Sequence, residues 1–166
     1  MATQIQSLTF DDEEQIFELL KTSIYNGDDI HLGKLAATQN NIINLYKHEI
    51  FPIIFEEDPI FGAFEHDKLV GLTCCSTKLN RIYQLEESLA FGIITIIHPD
   101  YRQQGIGTAL RIHNAKDLKK RGIKKFIFEI KENNPASLKN AQKIGKNLNA
   151  DADLVSFKFE GSTNVF

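Results

Sequence analysis

The stretch TIIHPDYRQQGIGTAL, residues 95–110, decides the fold of this chain. It joins an apolar run, LAFGIITII at residues 89–97, to a proline, a basic residue and a Gly-x-Gly pair at the predicted start of a helix. The first turn of a helix leaves backbone N–H groups without partners, and glycine lets a ligand approach the backbone closely. The stretch therefore predicts a strand, a turn and a helix that together cradle an anion.

Two common glycine motifs do not fit this stretch. A dinucleotide-binding fingerprint needs a third glycine where the chain has Leu110, and an acid about twenty residues later, where it has Lys124 and Lys125. A P-loop needs Gly-Lys-Ser/Thr, and this tripeptide does not occur in the sequence. Both classes are excluded.

The net charge of −3 conceals a strong asymmetry along the chain. Residues 1–101 hold 6 Lys and Arg against 16 Asp and Glu, residues 102–147 hold 12 against 3, and residues 148–166 hold 1 against 3. This predicts one region that meets an anion and another that attracts a cation. Seven basic residues that follow the motif are expected to extend positive potential outward: Arg111, Lys116, Lys119, Lys120, Arg121, Lys124 and Lys125.

Composition and length indicate an ordinary folded protein, with 42% hydrophobic and 25% charged residues. We expect one domain, residues 1–166. The first twenty residues hold five acids and no Lys or Arg, and the longest apolar run is too short to span a membrane. We therefore expect a cytoplasmic protein. Cys74 and Cys75 are adjacent and the histidines lack ligand spacing, which predicts packed, reduced thiols and no metal site.

Periodicity places helices between strands along the chain. We predict strands at 4–9, 89–97, within 124–133 and at 154–160, and a hairpin around His66-Asp67-Lys68. The helices are expected at 10–25 with Thr9 as a cap, at 32–47, at 105–121 with Gly122 as a cap, and from Pro135 to about Ile144 with Gly145 as a cap. The 89–97 strand is expected to be covered on both faces. The fold class is mixed α/β, with helices on both faces of the sheet.

The helix at 105–121 has its expected apolar stripe at Ile106, Ala109, Leu110 and His113. A single histidine on such a stripe is interpreted as a packed residue rather than a ligand.

Arg102, Gly105 and Gly107 resemble the acetyl-CoA pyrophosphate loop of the GNAT family of N-acetyltransferases, whose pattern is Arg/Gln-x-x-Gly-x-Gly/Ala. A second block, EIKENNPASLKNAQKIG at residues 129–145, is similar to the strand, asparagine, helix and Lys-x-Gly ending of that family. The resemblance implies a mostly antiparallel sheet whose central strands splay apart, and acetyl-CoA as the acyl donor, without a metal.

Carried over by position, the resemblance implies a set of acetyl-CoA contacts. Backbone groups of Thr95, Ile96 and Ile97 would bind the pantetheine arm and the acetyl group. Asn134, with Ser137 nearby, would border the pantetheine. The pyrophosphate would lie against Arg102 and the residues that follow it: Gln103, Gln104, Gly105, Ile106, Gly107 and Thr108.

Glu129 lies where the family members that acetylate protein N-terminal amines place a general base, and Glu86 and Glu87 are the competing candidates. An amine attacks only when it is neutral, so a carboxylate that removes its proton suits the reaction. The alternative interpretation is that Glu129 is only a polar residue at the end of a strand. Two positions depart from the family: Ala141 replaces the tyrosine that protonates the departing thiolate, and Lys146 replaces an aromatic residue. Tyr83 and Tyr101 are conceivable substitutes, although Tyr101 is expected to pack beside the pyrophosphate loop.

Together these features predict an N-acetyltransferase that transfers an acetyl group from acetyl-CoA directly to a primary amine in a ternary complex. The alternative is a catalytically weak acyl-CoA sensor. The acidic balance of residues 1–101 argues against a third reading, a nucleic-acid binder. The acceptor is expected to be cationic and the protein to be a monomer or homodimer without membrane attachment. Acids outside helix starts are expected to gather the acceptor: Asp28, Asp29, Glu56, Glu57 and Asp58.

Overall fold

The computed structural model describes residues 3–25, 44, 47–48, 58–78, 88–127, 130 and 135–148. This part of the chain contains five strands and three α-helices. In chain order they are β1 (Gln4–Ser7), α1 (Glu13–Tyr25), β2 (Phe61–Glu65), β3 (Lys68–Ser76), β4 (Leu89–Ile97), α2 (Ile106–Lys120), β5 (Lys125–Ile127) and α3 (Pro135–Leu148).

The five strands form one sheet in the order β1-β2-β3-β4-β5. The first four strands are antiparallel to their neighbours, and β5 runs parallel to β4. Helix α1 packs against β3 and β4, while α2 packs on β2, β3 and β4 and also contacts α3. The predicted mixed α/β fold is confirmed.

The β2–β3 hairpin forms where the sequence predicts it. His66 and Asp67 have φ values of 49° and 62°. A two-residue turn with positive φ at both positions matches the twist of the strands it joins. Lys68, which we expected in the turn, is the first residue of β3.

The start of α1 is closed by its own side chains. A 3₁₀ turn at Phe10–Asp12 precedes the helix, and the Thr9 side chain accepts a hydrogen bond from the Asp11 N–H. The Asp12 carboxylate accepts in return from the Thr9 N–H at 2.8 Å. The predicted Thr9 cap is therefore confirmed as a reciprocal capping box.

Separate apolar clusters lie on the two faces of the sheet. The cluster under α1 contains Ile16, Leu20, Leu72 and Ile96 together with five further residues. On the opposite face, α2 buries a stripe spaced by four residues along the helix. This stripe consists of Ile106, Leu110, Asn114 and Leu118, with Ala115 beside it.

Three sequence predictions about these elements are wrong. Ala109 and His113 are exposed and lie outside the buried stripe, which runs instead through Asn114, whose amide donates to Cys75 Sγ at 3.0 Å. The interpretation of His113 as a packed residue is supported, because its ring meets Phe61 edge-on with 4.7 Å between ring centroids. Gly145 does not end α3, which continues to Leu148. The middle of β4, residues 91–95, is half-buried rather than covered on both faces.

The predicted strand at 154–160 and nearly all of the predicted helix at 32–47 lie outside the described residues.

Candidate active site

The start of α2 is built from backbone groups. Its N-cap, Gly105, has a φ of 83°, and no side chain in the described part of the protein caps the helix. The first intrahelical bond runs from the Ala109 N–H to the Gly105 carbonyl at 3.0 Å. The N–H groups of Ile106, Gly107 and Thr108 therefore come before Ala109, the first intrahelical donor, and point toward the start of the helix. With no acid in the first turn, this end of the helix dipole favours an anion.

The two glycines make this helix start accessible. A Cβ built on Gly105 would have no described atom within 4 Å, and its positive φ disfavours any other residue. A Cβ built on Gly107 would lie 3.5 Å from Ile97 Cγ1 and 3.7 Å from Asn140 Nδ2, which are ordinary contacts. The protein therefore has room for a side chain at Gly107, so a need for backbone access is a better explanation of this glycine than internal packing.

Arg102 stabilises the turn that leads into α2. Its Nε donates to the Ile97 carbonyl at 3.1 Å, which ties the turn to the end of β4. Gln103 follows with a φ of 63°. Gln103 and Gln104 are exposed, and Gln104 Nε2 donates to the Asp100 carbonyl at 3.3 Å.

Tyr101 packs beside this turn, as expected. It lies against the cluster under α2 and meets the His98 ring edge-on, with 5.5 Å between ring centroids.

The end of β4 directs part of its backbone away from β3. The His98 N–H donates to the Val70 carbonyl at 2.9 Å, and the register places Thr73 opposite Thr95. Hydrogen-bonded and non-hydrogen-bonded pairs alternate along an antiparallel ladder. Thr95 and Ile97 therefore belong to non-hydrogen-bonded pairs, and their N–H and C=O groups point toward the β5 side of β4.

Ile96 lies between them with the opposite orientation. It is opposite Leu72 in a hydrogen-bonded pair, so its backbone groups belong to the β3 ladder. Among the described residues, β5 pairs with β4 only along Leu89, Ala90 and Phe91. The described part of β5 thus leaves the backbone edge at Thr95 uncovered.

Helix α3 also contacts the start of α2. Thr108 Oγ1 donates to Asn140 Oδ1 at 2.8 Å, which joins the first turn of α2 to α3. Ser137, one of the predicted site residues, lies one turn before Asn140 on α3 and is half-buried. The structure therefore brings the end of β4, the start of α2 and the first half of α3 together around Gly107.

Arg111 was missed as a member of this region, because its charge suggested a solvated position. It is only partly exposed and its Nε donates to Thr95 Oγ1 at 3.0 Å. Burial lowers the pKa of the Arg111 guanidinium. The expectation that Arg111 extends positive potential outward is therefore wrong. Asn140 was also missed, since an amide within a helix carries no motif.

The two cysteines are free and buried in β3, as predicted. Burial raises the pKa of the Cys74 thiol to about 12. Burial also raises the pKa of the Cys75 thiol, whose sulfur accepts from Asn114. Thiols with raised pKa are protonated near neutral pH and are poor nucleophiles.

Asp58 does not belong to an acceptor-gathering surface. Its side chain is buried and accepts hydrogen bonds from the Thr77 N–H at 2.7 Å and from Arg121 Nη2 at 2.7 Å. The expectation that Asp58 attracts a cationic substrate is therefore wrong, because its charge is neutralised within the protein.

Several predicted site residues belong to other parts of the chain than the described ranges. Asn134 and Glu129 lie outside the described residues. The same holds for the substitute acid Tyr83, for the alternative bases Glu86 and Glu87, and for the acceptor-gathering residues Asp28, Asp29, Glu56 and Glu57. In the described ranges, no three His, Cys, Asp or Glu side chains form a group that could hold a metal ion.

The fold and this helix start define a class of α/β protein in which a helix that begins with glycine meets a central strand, at an edge that the described part of β5 does not cover. The sequence model of the acetyltransferase (GNAT) family matches residues 23–145, and the chain belongs to this family.

The chain is also similar to individual relatives. Over 63 residues it is 35% identical to the ribosomal protein bS18-alanine N-acetyltransferase of Escherichia coli K12, a match that covers 38% of this chain and 41% of that enzyme. The chain thus spans less than half of that relative.

Solved structures share the fold. The PaiA N-acetyltransferase of Thermoplasma acidophilum, crystallised with coenzyme A, has a TM-score of 0.67 and 19% identity, covering 86% of this chain and 88% of that one. An aminoglycoside acetyltransferase from an uncultured soil metagenomic sample, crystallised with sisomicin, has a TM-score of 0.61 and 16% identity, covering 96% and 97%. Among the described helices, none is long and apolar enough to cross a membrane.

Proposed function

We propose that the protein is an N-acetyltransferase that transfers an acetyl group from acetyl-CoA directly to a primary amine in a ternary complex. The observation that carries this proposal is the uncapped start of α2, where Gly105 and Gly107 leave the backbone accessible next to the end of β4. N–H groups at a helix start, with a basic side chain nearby, suit the diphosphate of a coenzyme A thioester. Family membership supports the same assignment.

In this proposal the pyrophosphate binds the N–H groups from Gln103 to Thr108. Arg102 holds the turn through its bond to the Ile97 carbonyl. The pantetheine arm follows the uncovered edge of β4, where Thr95 and Ile97 direct backbone groups away from β3. Ile96 contributes its side chain to the core instead. Asn134 and Ser137 are proposed to border the arm.

The same β4 edge supplies a donor for the acyl carbonyl. Charge develops on the carbonyl oxygen when an amine attacks a thioester, and one positioned donor is worth about 3 to 4 kcal/mol of transition-state stabilisation. A backbone N–H of Thr95 or Ile97 faces the correct side of the strand. Direct transfer is favoured over an acyl-enzyme because the thiols of Cys74 and Cys75 are buried and protonated.

The acceptor is proposed to be an amine that is cationic in solution. A peptide with an unmodified N-terminal alanine is the first one to test, because the Escherichia coli relative acts on a ribosomal protein alanine. The assay follows release of the coenzyme A thiol from acetyl-CoA in the presence of this peptide.

Glu129 is proposed as the general base. We expect Glu129→Gln to bind acetyl-CoA normally but to lower turnover about 10²- to 10⁴-fold near neutral pH. At high pH the amine loses its proton unaided, so part of the deficit should be recovered. Glu132→Gln, three residues away, is the matched control. If Glu129→Gln keeps wild-type turnover across the pH range, the base lies elsewhere, with Glu86 and Glu87 next to be tested.

A second candidate function rests on Ala141, which stands where many family members have a thiolate-protonating tyrosine. A protein without this acid would suit a weak acyl-CoA sensor. Binding of acetyl-CoA without thiol release, across a panel of primary amines, would favour the sensor over the enzyme.

A further inference from the structure

A chain of hydrogen bonds runs from α2 to the backbone of β4. Arg111 Nε donates to Thr95 Oγ1 at 3.0 Å. Thr95 Oγ1 lies 2.8 Å from Thr73 Oγ1, and Thr73 Oγ1 donates to the Ile94 carbonyl at 3.2 Å. Three contacts therefore connect a guanidinium to one peptide group of the strand.

The Arg111 and Ile94 contacts together give the three bonds one consistent direction. The Arg111 guanidinium can only donate, so Thr95 Oγ1 accepts there and keeps its own hydrogen. The Thr73 hydroxyl uses its hydrogen on the Ile94 carbonyl. Thr73 Oγ1 must then accept from Thr95, and all three bonds point the same way, from Arg111 toward Ile94. Hydrogen bonds aligned in this way polarise one another.

The last acceptor belongs to a peptide unit with a second role. The Ile94 carbonyl and the Thr95 N–H are the two ends of one planar, conjugated group. A donor on the carbonyl draws electron density from the nitrogen, which makes the N–H a stronger donor. Thr95 lies opposite Thr73 in a non-hydrogen-bonded pair, so this N–H points to the side of β4 that the described part of β5 leaves uncovered.

Burial makes these contacts stronger than they would be in water. Thr73 is 1% exposed and Thr95 is half-buried. Burial also lowers the pKa of Arg111, although an arginine side chain stays charged in proteins. Electrostatic effects of a fixed cation act over longer distances where water is excluded.

We propose that Arg111 is a positioning residue that polarises the Ile94–Thr95 peptide unit through the hydroxyls of Thr95 and Thr73. The strengthened Thr95 N–H then binds the acyl carbonyl oxygen of the thioester as charge develops on it. The inference rests on the proposed function, and it names the donor and the residues that tune it. Arg111 itself touches neither the acyl group nor the amine.

The first test measures the acyl carbonyl directly and needs no acceptor. Infrared difference spectra of acetyl-CoA labelled with ¹³C at the carbonyl report how strongly that carbonyl is polarised when bound. We expect the bound stretch to lie at lower frequency than in water, and to move back toward the free value in Thr73→Val and in Arg111→Met. Thr73→Ser keeps the hydroxyl and should keep most of the wild-type frequency shift.

The second test uses turnover with the alanine peptide. Thr73→Val and Arg111→Met should each lower kcat about tenfold, a fraction of the roughly 10²- to 10³-fold loss that follows removal of an oxyanion donor. Affinity for free coenzyme A, which lacks the acyl carbonyl, should stay within about twofold. Because both residues act through one chain, the double variant should be no slower than the worse single variant.

The outcomes separate the two proposals. Absence of acetyl-CoA binding to the wild-type protein by calorimetry would overturn the proposed function itself. Normal binding with the same carbonyl frequency in wild type, Thr73→Val and Arg111→Met would overturn the relay alone. Equal loss of kcat in Thr73→Val and Thr73→Ser, or multiplicative losses in the double variant, would show a packing effect and also overturn it.

Discussion

The two ends of α2 differ in what they contact. At its start, Gly105 and Gly107 expose backbone N–H groups that no side chain caps. At its end, Arg121 is held by an ion pair to the buried Asp58 carboxylate at 2.7 Å. That carboxylate also accepts two donors from Thr77. The end of the helix is therefore tied to the segment before β2 and to the end of β3.

This difference shows why the charge of a segment does not identify its partner. Arg111 and Arg121 both belong to the basic segment 102–147, yet each is bound within the protein, to Thr95 and to Asp58. The lysines of the last turn, Lys119 and Lys120, are exposed and lie where the helix dipole favours cations. The start of α2, which is the end proposed to bind the ligand, depends instead on backbone geometry.

The largest expected effect, on acetyl-CoA affinity, comes from a side chain that blocks the start of α2. In Gly107→Val the added Cβ meets only ordinary contacts inside the protein, so the fold should be preserved. The side chain should occupy the approach of the diphosphate to the α2 N–H groups. Losing one charge-assisted hydrogen bond, at roughly 1.5 to 3 kcal/mol, predicts about 10- to 10²-fold weaker acetyl-CoA binding by calorimetry.

Ala109→Val is the matched control for this variant. Ala109 lies two residues further along α2, is exposed, and has its N–H already bonded to the Gly105 carbonyl. The same side chain there should leave acetyl-CoA affinity unchanged. Unchanged affinity in Gly107→Val would remove the ligand role from this end of the helix.

A smaller effect, on stability alone, is expected at the anchored end. Arg121→Met leaves Asp58 buried, with Thr77 as its remaining donor among the described residues. Because Arg121 is partly exposed, the loss should be about 2 kcal/mol of unfolding free energy, measured by urea denaturation. Lys120→Met removes the same charge from an exposed neighbour and should stay within about 0.5 kcal/mol of wild type. Equal stability of the two variants would contradict the anchor, and weakened acetyl-CoA binding in Arg121→Met would couple the two ends.

Local sequence predicts the ligand end of α2 better than its anchored end. Gly105 and Gly107 follow a proline-terminated strand, and these signals lie within a few residues of one another. The Asp58–Arg121 pair joins residues 63 positions apart, so only the folded chain brings them together. The acidic balance of residues 1–101 therefore led to the incorrect prediction that Asp58 attracts the acceptor.

Side-chain direction was harder to predict than element type. The hairpin turn at His66 and Asp67 follows from alternating runs around a polar break, and the limits of β4 follow from a continuous apolar run that a proline ends. The predicted apolar stripe of α2 differs from the buried one, because the prediction included the apolar Ala109 and left out the polar Asn114. Burial depends instead on spacing along the helix. Asn114 tolerates burial because Cys75 accepts its hydrogen bond. The charge of Arg111 likewise led to a predicted solvated position, whereas its Nε donates to Thr95 Oγ1.

The smallest expected effect compares the open start of α2 with the closed start of α1. The Thr9 hydroxyl accepts from the Asp11 N–H, so a side chain binds an N–H group at the start of α1. At the start of α2, a ligand is proposed to accept from the corresponding N–H groups. Thr9→Val should cost about 1 kcal/mol of unfolding free energy, while Thr9→Ser keeps the hydroxyl and should cost less. Neither variant should change acetyl-CoA affinity, because α1 contacts the face of the sheet opposite α2. Urea denaturation with and without acetyl-CoA measures both quantities on the same samples. If Thr9→Val weakened acetyl-CoA binding as much as Gly107→Val, a general loss of structure rather than the α2 backbone would explain both variants.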